Sequence, residues 1–294
     1  MTERTIAAEW AWHAKPGDTH GDYRVLRSSG PPADYPRFGA EIRARAIGTP
    51  LPAVRGPDAL PWVRFDRSAD GTANTVTWTE WSAFLDEFGR PIVGTSHYVL
   101  PGVDLALHRP ALDELVQALF GIDLAEHPPQ PALLTLPAPG EPRGRQPYPL
   151  GWLASVAALL LEGPVTLVPD AADWPMRDRV RVFDDILGLL PYPAAAAVSA
   201  ATWWTASAAG SVRLAVGPAQ RGRRAVRIGG PAEPETAAGA AYRRLVLGLA
   251  EARGAAPLSR DLRAFPMPSA PGPDPVRAEA VLGAVRARFG DSAG

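Results

Sequence analysis

Apolar and polar residues alternate along much of the first half of the chain, with the period of half-buried β-strands. In the first such run, Ile6, Ala8, Trp10 and Trp12 fall on one face. Two more runs flank Asp70-Gly71, where glycine accepts the positive φ of a tight hairpin turn. The predicted strands and the hairpin cover residues 5–14, 23–28, 61–81 and 90–101, and one helix is expected at 110–120.

The second half alternates between helical and extended patterns. Apolar positions from Met176 to Leu190 step by four and three residues, which defines one helix face. Two extended runs at residues 211–217 and 223–230 are separated by a short turn-like segment and are expected to pair as a hairpin. The other predicted helices are residues 150–161, 238–252 and 275–289.

A Pro-rich, helix-poor stretch between Pro137 and Pro147 separates these halves and is typical of an interdomain connector. We therefore expect an α+β protein with a β-rich N-terminal domain at 1–137. The second domain, at 148–294, is expected to be α/β with a helical C-terminal end.

Composition excludes several classes of function. The 294 residues contain no cysteine, which removes disulfides and thiolate chemistry, and a net charge of -1 gives no field to attract nucleic acid or anionic membranes. The longest apolar stretch is shorter than the roughly 20 residues a membrane-spanning helix needs. We expect a cytoplasmic protein without a membrane partner. An RNA contact through Arg221 to Arg227 stays open as a less favoured alternative.

The segment Gly17-Asp18-Thr19-His20-Gly21 resembles the first metal-binding box of phosphoesterases. Such sites need further Asp, Asn and His ligands from later loops, and the chain lacks those boxes. A looser metal site using His13, Asp18, His20 and Asp22 would make the chain a divergent metal-dependent hydrolase, and this remains the alternative. The favoured interpretation is a turn between two strands, with no cofactor and no catalytic residue.

The chain has nine tryptophans, more than its predicted strands can easily bury. Successive residues of a strand point to opposite faces, so Trp78 and Trp81, and likewise Trp203 and Trp204, are expected on opposite faces. At most one of Trp203 and Trp204 should therefore be buried. Exposed aromatic surface usually marks a partner site, so these four residues are the predicted protein-binding positions.

Three windows of the sequence resemble the GTPase-associated protein family of bacterial conflict systems. They are "GDYRVLRSSG" (21–30), "GRPIVGTSHYVL" (89–100), and "LLP" at 189–191 leading into "AVSAATWW". The second window keeps Gly89, Arg90 and His97 at matching spacing, and departs from the family pattern at Ile92-Val93-Gly94. The resemblance implies a non-catalytic adaptor or regulator in a bacterial defence system, whose partner is another protein, with a GTPase as one candidate.

Overall fold

The computed structural model describes residues 4–16, 21–48, 59–67, 72–136, 148–169, 174–205, 207–208, 210–266 and 277–290. The fold is α+β, as predicted. Residues divide into a first unit, comprising Met1–Pro139, Ala171–Met176 and Ala201–Ser211, and a second unit comprising the remainder. The predicted connector at 137–147 lies outside the described residues.

The first unit is built on antiparallel strands. In spatial order its main strands run β3-β4-β5-β1-β2, and β6 pairs with the beginning of β1. The predicted hairpin at 61–81 is confirmed, because β3 and β4 pair antiparallel from Trp62 opposite Thr79 to Arg67 opposite Asn74. The strands are β1 (Arg4–Ala14), β2 (Arg24–Ser28), β3 (Trp62–Arg67), β4 (Ala73–Leu85), β5 (Pro91–Pro101) and β6 (Ala132–Leu136).

Three helices accompany this sheet: α1 (Tyr35–Ala44), α2 (Gly102–His108) and α3 (Leu112–Leu119). The sequence predicted α3 but gave no prediction for α1 or α2. Phe38 and Ile42 stand one turn apart on α1 and pack with Ala11 and Val25 in a buried cluster. This helix therefore covers one face of β1 and leaves the opposite face, which carries Trp10 and Trp12, to other segments.

The second half of the chain supplies the remaining helices, and the predicted ones are all present. Helix α7 packs against α4. Its buried Tyr242 hydroxyl donates to the carbonyl oxygen of Leu189, just after α5, at 2.6 Å. No helix among the described segments is long and apolar enough to cross a bilayer. The helices are α4 (Leu150–Glu162), α5 (Met176–Leu187), α6 (Tyr192–Ala195), α7 (Ala237–Arg253), α8 (Ala255–Arg263) and α9 (Ala278–Phe289).

The strands of the second half are β7 (Val165–Val168), β8 (Ala200–Ala201), β9 (Leu214–Val216) and β10 (Arg224–Arg227). The expected hairpin between the last two is wrong, because β9 and β10 each pair in parallel with β7. The Arg223 guanidinium explains part of this arrangement. It donates to the Thr166 hydroxyl and to the Val165 carbonyl, both at 2.7 Å, and so fixes the start of β10 to β7.

Candidate functional site

A groove of about 370 Å³ opens in the first unit between the sheet and the segment that follows α3. We call it the aromatic groove, because its lining contains many rings. The aromatic lining residues are Trp12, Trp78, Trp81, Phe84, Tyr98 and Phe120. Of the predicted partner-binding positions, Trp78 and Trp81 lie here together.

The register of three strands builds the floor of the aromatic groove. Ser96 of β5 pairs with Trp12 of β1 on one side and with Trp78 of β4 on the other. Two residues earlier on β5, Gly94 pairs with Glu80. A Cβ at Gly94 would lie 3.4 Å from the Trp12 indole nitrogen, within ordinary van der Waals contact, so the Trp12 side chain lies close over this position of the strand.

The segment after α3 forms the opposite wall. Phe120 is 76% exposed, and its ring centroid lies 6.3 Å from that of Trp78, which is itself buried. Gly121 follows with a φ of +97°, a conformation that favours glycine and turns the chain out of the helix. Arg27 on β2 donates to the carbonyl oxygens of Ala125 and His127, which holds the later part of this wall.

The tip of the β4–β5 hairpin borders the aromatic groove. Phe84 is 51% exposed, and its ring centroid lies 6.5 Å from that of Trp12. Beyond it, Phe88 is 70% exposed. Gly89 has a φ of +73°, and Arg90 pairs with Asp86 at 2.7 Å, so the two family-motif positions shape this turn. The window at 89–100 that carries the family resemblance therefore supplies both the hairpin turn and part of the groove floor.

The charged side chains of the groove lining are all acidic: Glu80, Asp123 and Glu126. The Trp78 indole N–H donates to the Glu80 carboxylate at 3.0 Å, and the Ala125 backbone N–H donates to Asp123 at 2.9 Å. Burial raises the pKa of the Tyr98 hydroxyl, and the negative charges of Glu80 and Asp123 raise it further. Both carboxylates therefore act on the same point of the groove floor.

A second polar cluster lies on the opposite face of the sheet. His97 Nε2 lies 3.1 Å from the Glu41 carboxylate, and its Nδ1 lies 3.0 Å from the Thr77 hydroxyl. Because a carboxylate only accepts, Nε2 carries the proton and Nδ1 accepts from Thr77. This hydroxyl–imidazole–carboxylate order resembles that of a hydrolase triad. However, Thr77 is 2% exposed and His97 is fully buried, so no substrate can reach the hydroxyl.

Trp203 and Trp204 do not lie in the aromatic groove. Both are buried, at 8% and 4% exposure, so the expectation that at most one would be buried is wrong. The reason is that β8 ends at Ala201, after which the chain bends and strand alternation no longer applies. The Arg64 guanidinium lies over the Trp204 ring at 5.1 Å.

The alternative metal site falls partly outside the structure, because Asp18 and His20 are not among the described residues. His13 stacks on Tyr23 with ring centroids 5.9 Å apart, and burial together with Arg43 lowers its pKa. Within the described ranges, no cluster of His, Asp and Glu has the makings of a metal site. Nothing described therefore favours the hydrolase alternative.

Comparison of the chain with protein-family models gives no match. Comparison with curated proteins gives no significant match either.

Sequence reasoning missed several residues of the aromatic groove. It did not assign Phe84, Phe120 or Glu80 to a site, because each comes from a different segment and only the fold brings them together. One signal was present in the sequence. Phe120 lies next to Gly121 at the end of a predicted helix, where the apolar face has already been completed by Leu119 and the extra ring has no core position to fill.

Proposed function

We propose that this chain is a non-catalytic adaptor that binds a partner protein through the aromatic groove. The exposure of Phe84 and Phe120 carries the proposal. These two rings, 51% and 76% exposed, flank a groove already lined by buried or half-buried tryptophans. Aromatic side chains clustered in a concave surface are typical of interaction hot spots, since they bury a large area with few rotatable bonds.

The closed His97 cluster also favours an adaptor over an enzyme. A catalytic nucleophile must reach its substrate, and the Thr77 hydroxyl lies within a packed sheet face under α1. The His97 position of the family motif then has a structural role. Its hydrogen bonds join α1, β4 and β5, and so hold the sheet whose opposite face forms the groove floor.

We further propose that the partner is a GTPase encoded near this gene in a bacterial conflict system. The sequence resemblance supports this partner class. The window at 89–100 contributes Gly94, Ser96 and Tyr98 to the groove, whereas the positions that match the family, Gly89, Arg90 and His97, are not among its lining residues.

The test uses the purified GTPase from the gene neighbourhood and measures its affinity for the chain by calorimetry. Phe120→Ala and Phe84→Ala should each weaken binding by about tenfold, as truncation of an interface anchor does. Both side chains are exposed, so the variants should fold. Leu107→Ala and Leu133→Ala are matched controls, because these residues are 73% and 70% exposed in the same unit but do not line the groove.

Unchanged affinity in both phenylalanine variants would contradict the groove as the binding surface. Absence of any GTPase binding would contradict the partner class while leaving the groove to be tested with other partners.

A further inference from the structure

The charge of the aromatic groove restricts what can occupy it. Its lining holds the carboxylates of Glu80, Asp123 and Glu126, and in the described structure it holds no Lys, Arg or His. A purely apolar partner surface would leave these carboxylates without compensation at the edge of a water-excluding contact, and that is costly. The occupant should therefore bring positive charge.

Basic residues that interact near the groove are already engaged. Arg27 donates to two main-chain carbonyls of the groove wall. Lys15 pairs with Glu87 at 3.0 Å, and Arg90 pairs with Asp86 at 2.7 Å. The negative charge inside the groove is consequently not neutralised by an ion pair with any of these three.

The position of the acidic groups relative to the rings suits a planar cation. The Glu80 carboxylate accepts from the Trp78 indole N–H, and the Trp78 ring centroid lies 6.3 Å from that of the exposed Phe120 ring. A guanidinium can stack on an aromatic face and at the same time donate paired hydrogen bonds to a carboxylate, whereas an ammonium acts only as a point charge. This combination of ring and carboxylate therefore favours arginine over lysine.

We propose that the aromatic groove binds an arginine side chain presented by an exposed segment of the partner protein. This inference rests on the proposed function, and adds the chemistry of the contact. The guanidinium lies against the Phe120 and Trp12 rings and pairs with Glu80 and Asp123, while neighbouring apolar side chains of the segment contact Phe84. Charge complementarity gives the specificity, and ring contact gives most of the affinity.

The inference is tested with two short acetylated and amidated peptides that alternate arginine with leucine. In the second peptide every arginine is replaced by citrulline, which keeps the shape and removes the charge. Binding is followed by intrinsic tryptophan fluorescence, because Trp12, Trp78 and Trp81 line the groove. The arginine peptide should bind at least about tenfold more tightly than its citrulline twin, and its affinity should fall as salt is raised.

Variants then locate the contact. Glu80→Gln and Asp123→Asn should each lower the affinity for the arginine peptide by about twofold to fivefold, the range for a partly exposed ion pair. The affinity for the citrulline peptide should not change. Gln at position 80 retains an oxygen that can accept from Trp78. The matched control is Glu251→Gln, an exposed carboxylate on α7 in the second unit, which should change neither peptide.

Three outcomes would overturn the inference: no saturable binding of the arginine peptide, equal binding of the two peptides, or tight binding of choline alone, which would indicate a small-cation site. These results are distinguishable from failure of the proposed function. If both peptides bind equally and Phe120→Ala weakens both, the groove is a protein-binding surface without arginine selectivity. If Phe120→Ala affects neither the peptides nor the partner, the proposed function itself fails.

Discussion

His97 is the residue at which burial and ionisation are most directly coupled in the first unit. Burial lowers its pKa, although the Glu41 carboxylate opposes part of this shift. The hydrogen bond with His97 is in turn the largest cause of the lowered pKa of Glu41. Between the folded pKa and the unfolded value near 6.5, the unfolded chain binds a proton that the folded chain does not, so lowering the pH favours unfolding.

We therefore predict that the melting temperature falls as the pH is lowered from about 7 to about 5, and that His97→Gln makes this dependence shallower. His97→Gln should also destabilise the protein at neutral pH by about 1–3 kcal/mol, because the buried Thr77 hydroxyl loses a well-placed partner. Thermal unfolding by circular dichroism across this pH range measures both effects.

His13→Gln is the control. His13 also has a lowered pKa, so the His13→Gln variant should lose only the part of the pH dependence that His13 causes. The part due to His97 should remain. If the melting temperature of His97→Gln falls with pH as steeply as that of the wild type, His97 is not the source of the pH dependence.

Helix α7 shows how one element is held at its beginning. The Thr236 hydroxyl accepts from the backbone N–H of Gly239 at 3.0 Å and donates to the Glu162 carboxylate at 2.7 Å. The same carboxylate accepts from the backbone N–H groups of Glu235 and Thr236. Glu162 ends α4, so a negative charge from one helix lies at the positive N-terminus of the helix that packs on it.

We predict that Thr236→Ala lowers the free energy of unfolding by about 1 kcal/mol, the usual cost of removing an N-cap hydroxyl. Thr236→Ser keeps the hydroxyl and should remain within a few tenths of a kcal/mol of the wild type. Urea unfolding of the three proteins under identical conditions provides the comparison. If serine proves as damaging as alanine, packing of the threonine methyl group would explain the effect better than capping does.

At the same scale, the sequence predicted which elements exist better than how they pair. Alternation located β1 and β5, and helical spacing located α5, because each pattern is complete within one segment. The pairing of β9 and β10 was wrong because a short turn-like segment between two strands is a local signal. What decides their neighbours is the largely buried strand β7, which both of them flank, and the contacts of Arg223 across to it.

The aromatic groove was predicted only in part, for the same reason at the scale of the whole molecule. Trp78 and Trp81 lie in one continuous strand, and the sequence could select them. The aromatic groove also needs Trp12, Phe120 and Glu80, which a fold of distant segments brings together. Trp203 and Trp204 failed as surface candidates because alternation was extended beyond the end of β8. Periodicity holds only while the strand continues.

The assignment of chain segments to the two units leads to a last prediction about the intact chain. Arg143 and Arg145 lie in the Pro-rich connector predicted at 137–147, so trypsin should cut there first, since linkers crossed by few contacts are nicked preferentially. The first unit nevertheless includes Ala201–Ser211, from beyond the cut. In it, the Thr202 hydroxyl accepts from the Val63 backbone N–H at 2.8 Å, and the Thr202 N–H donates to the Val63 carbonyl at 2.9 Å.

Cutting the connector would therefore leave the N-terminal fragment dependent on a segment carried by the C-terminal one. We predict that the nicked protein elutes as a single species from size-exclusion chromatography in native buffer, and that its two fragments separate only in denaturant. The double variant Arg143→Gln/Arg145→Gln should delay the first cut. It is the control that locates this cut in the connector. Fragments that separate in native buffer would show that each half folds without the other, and that the segment 201–211 is dispensable to the first unit.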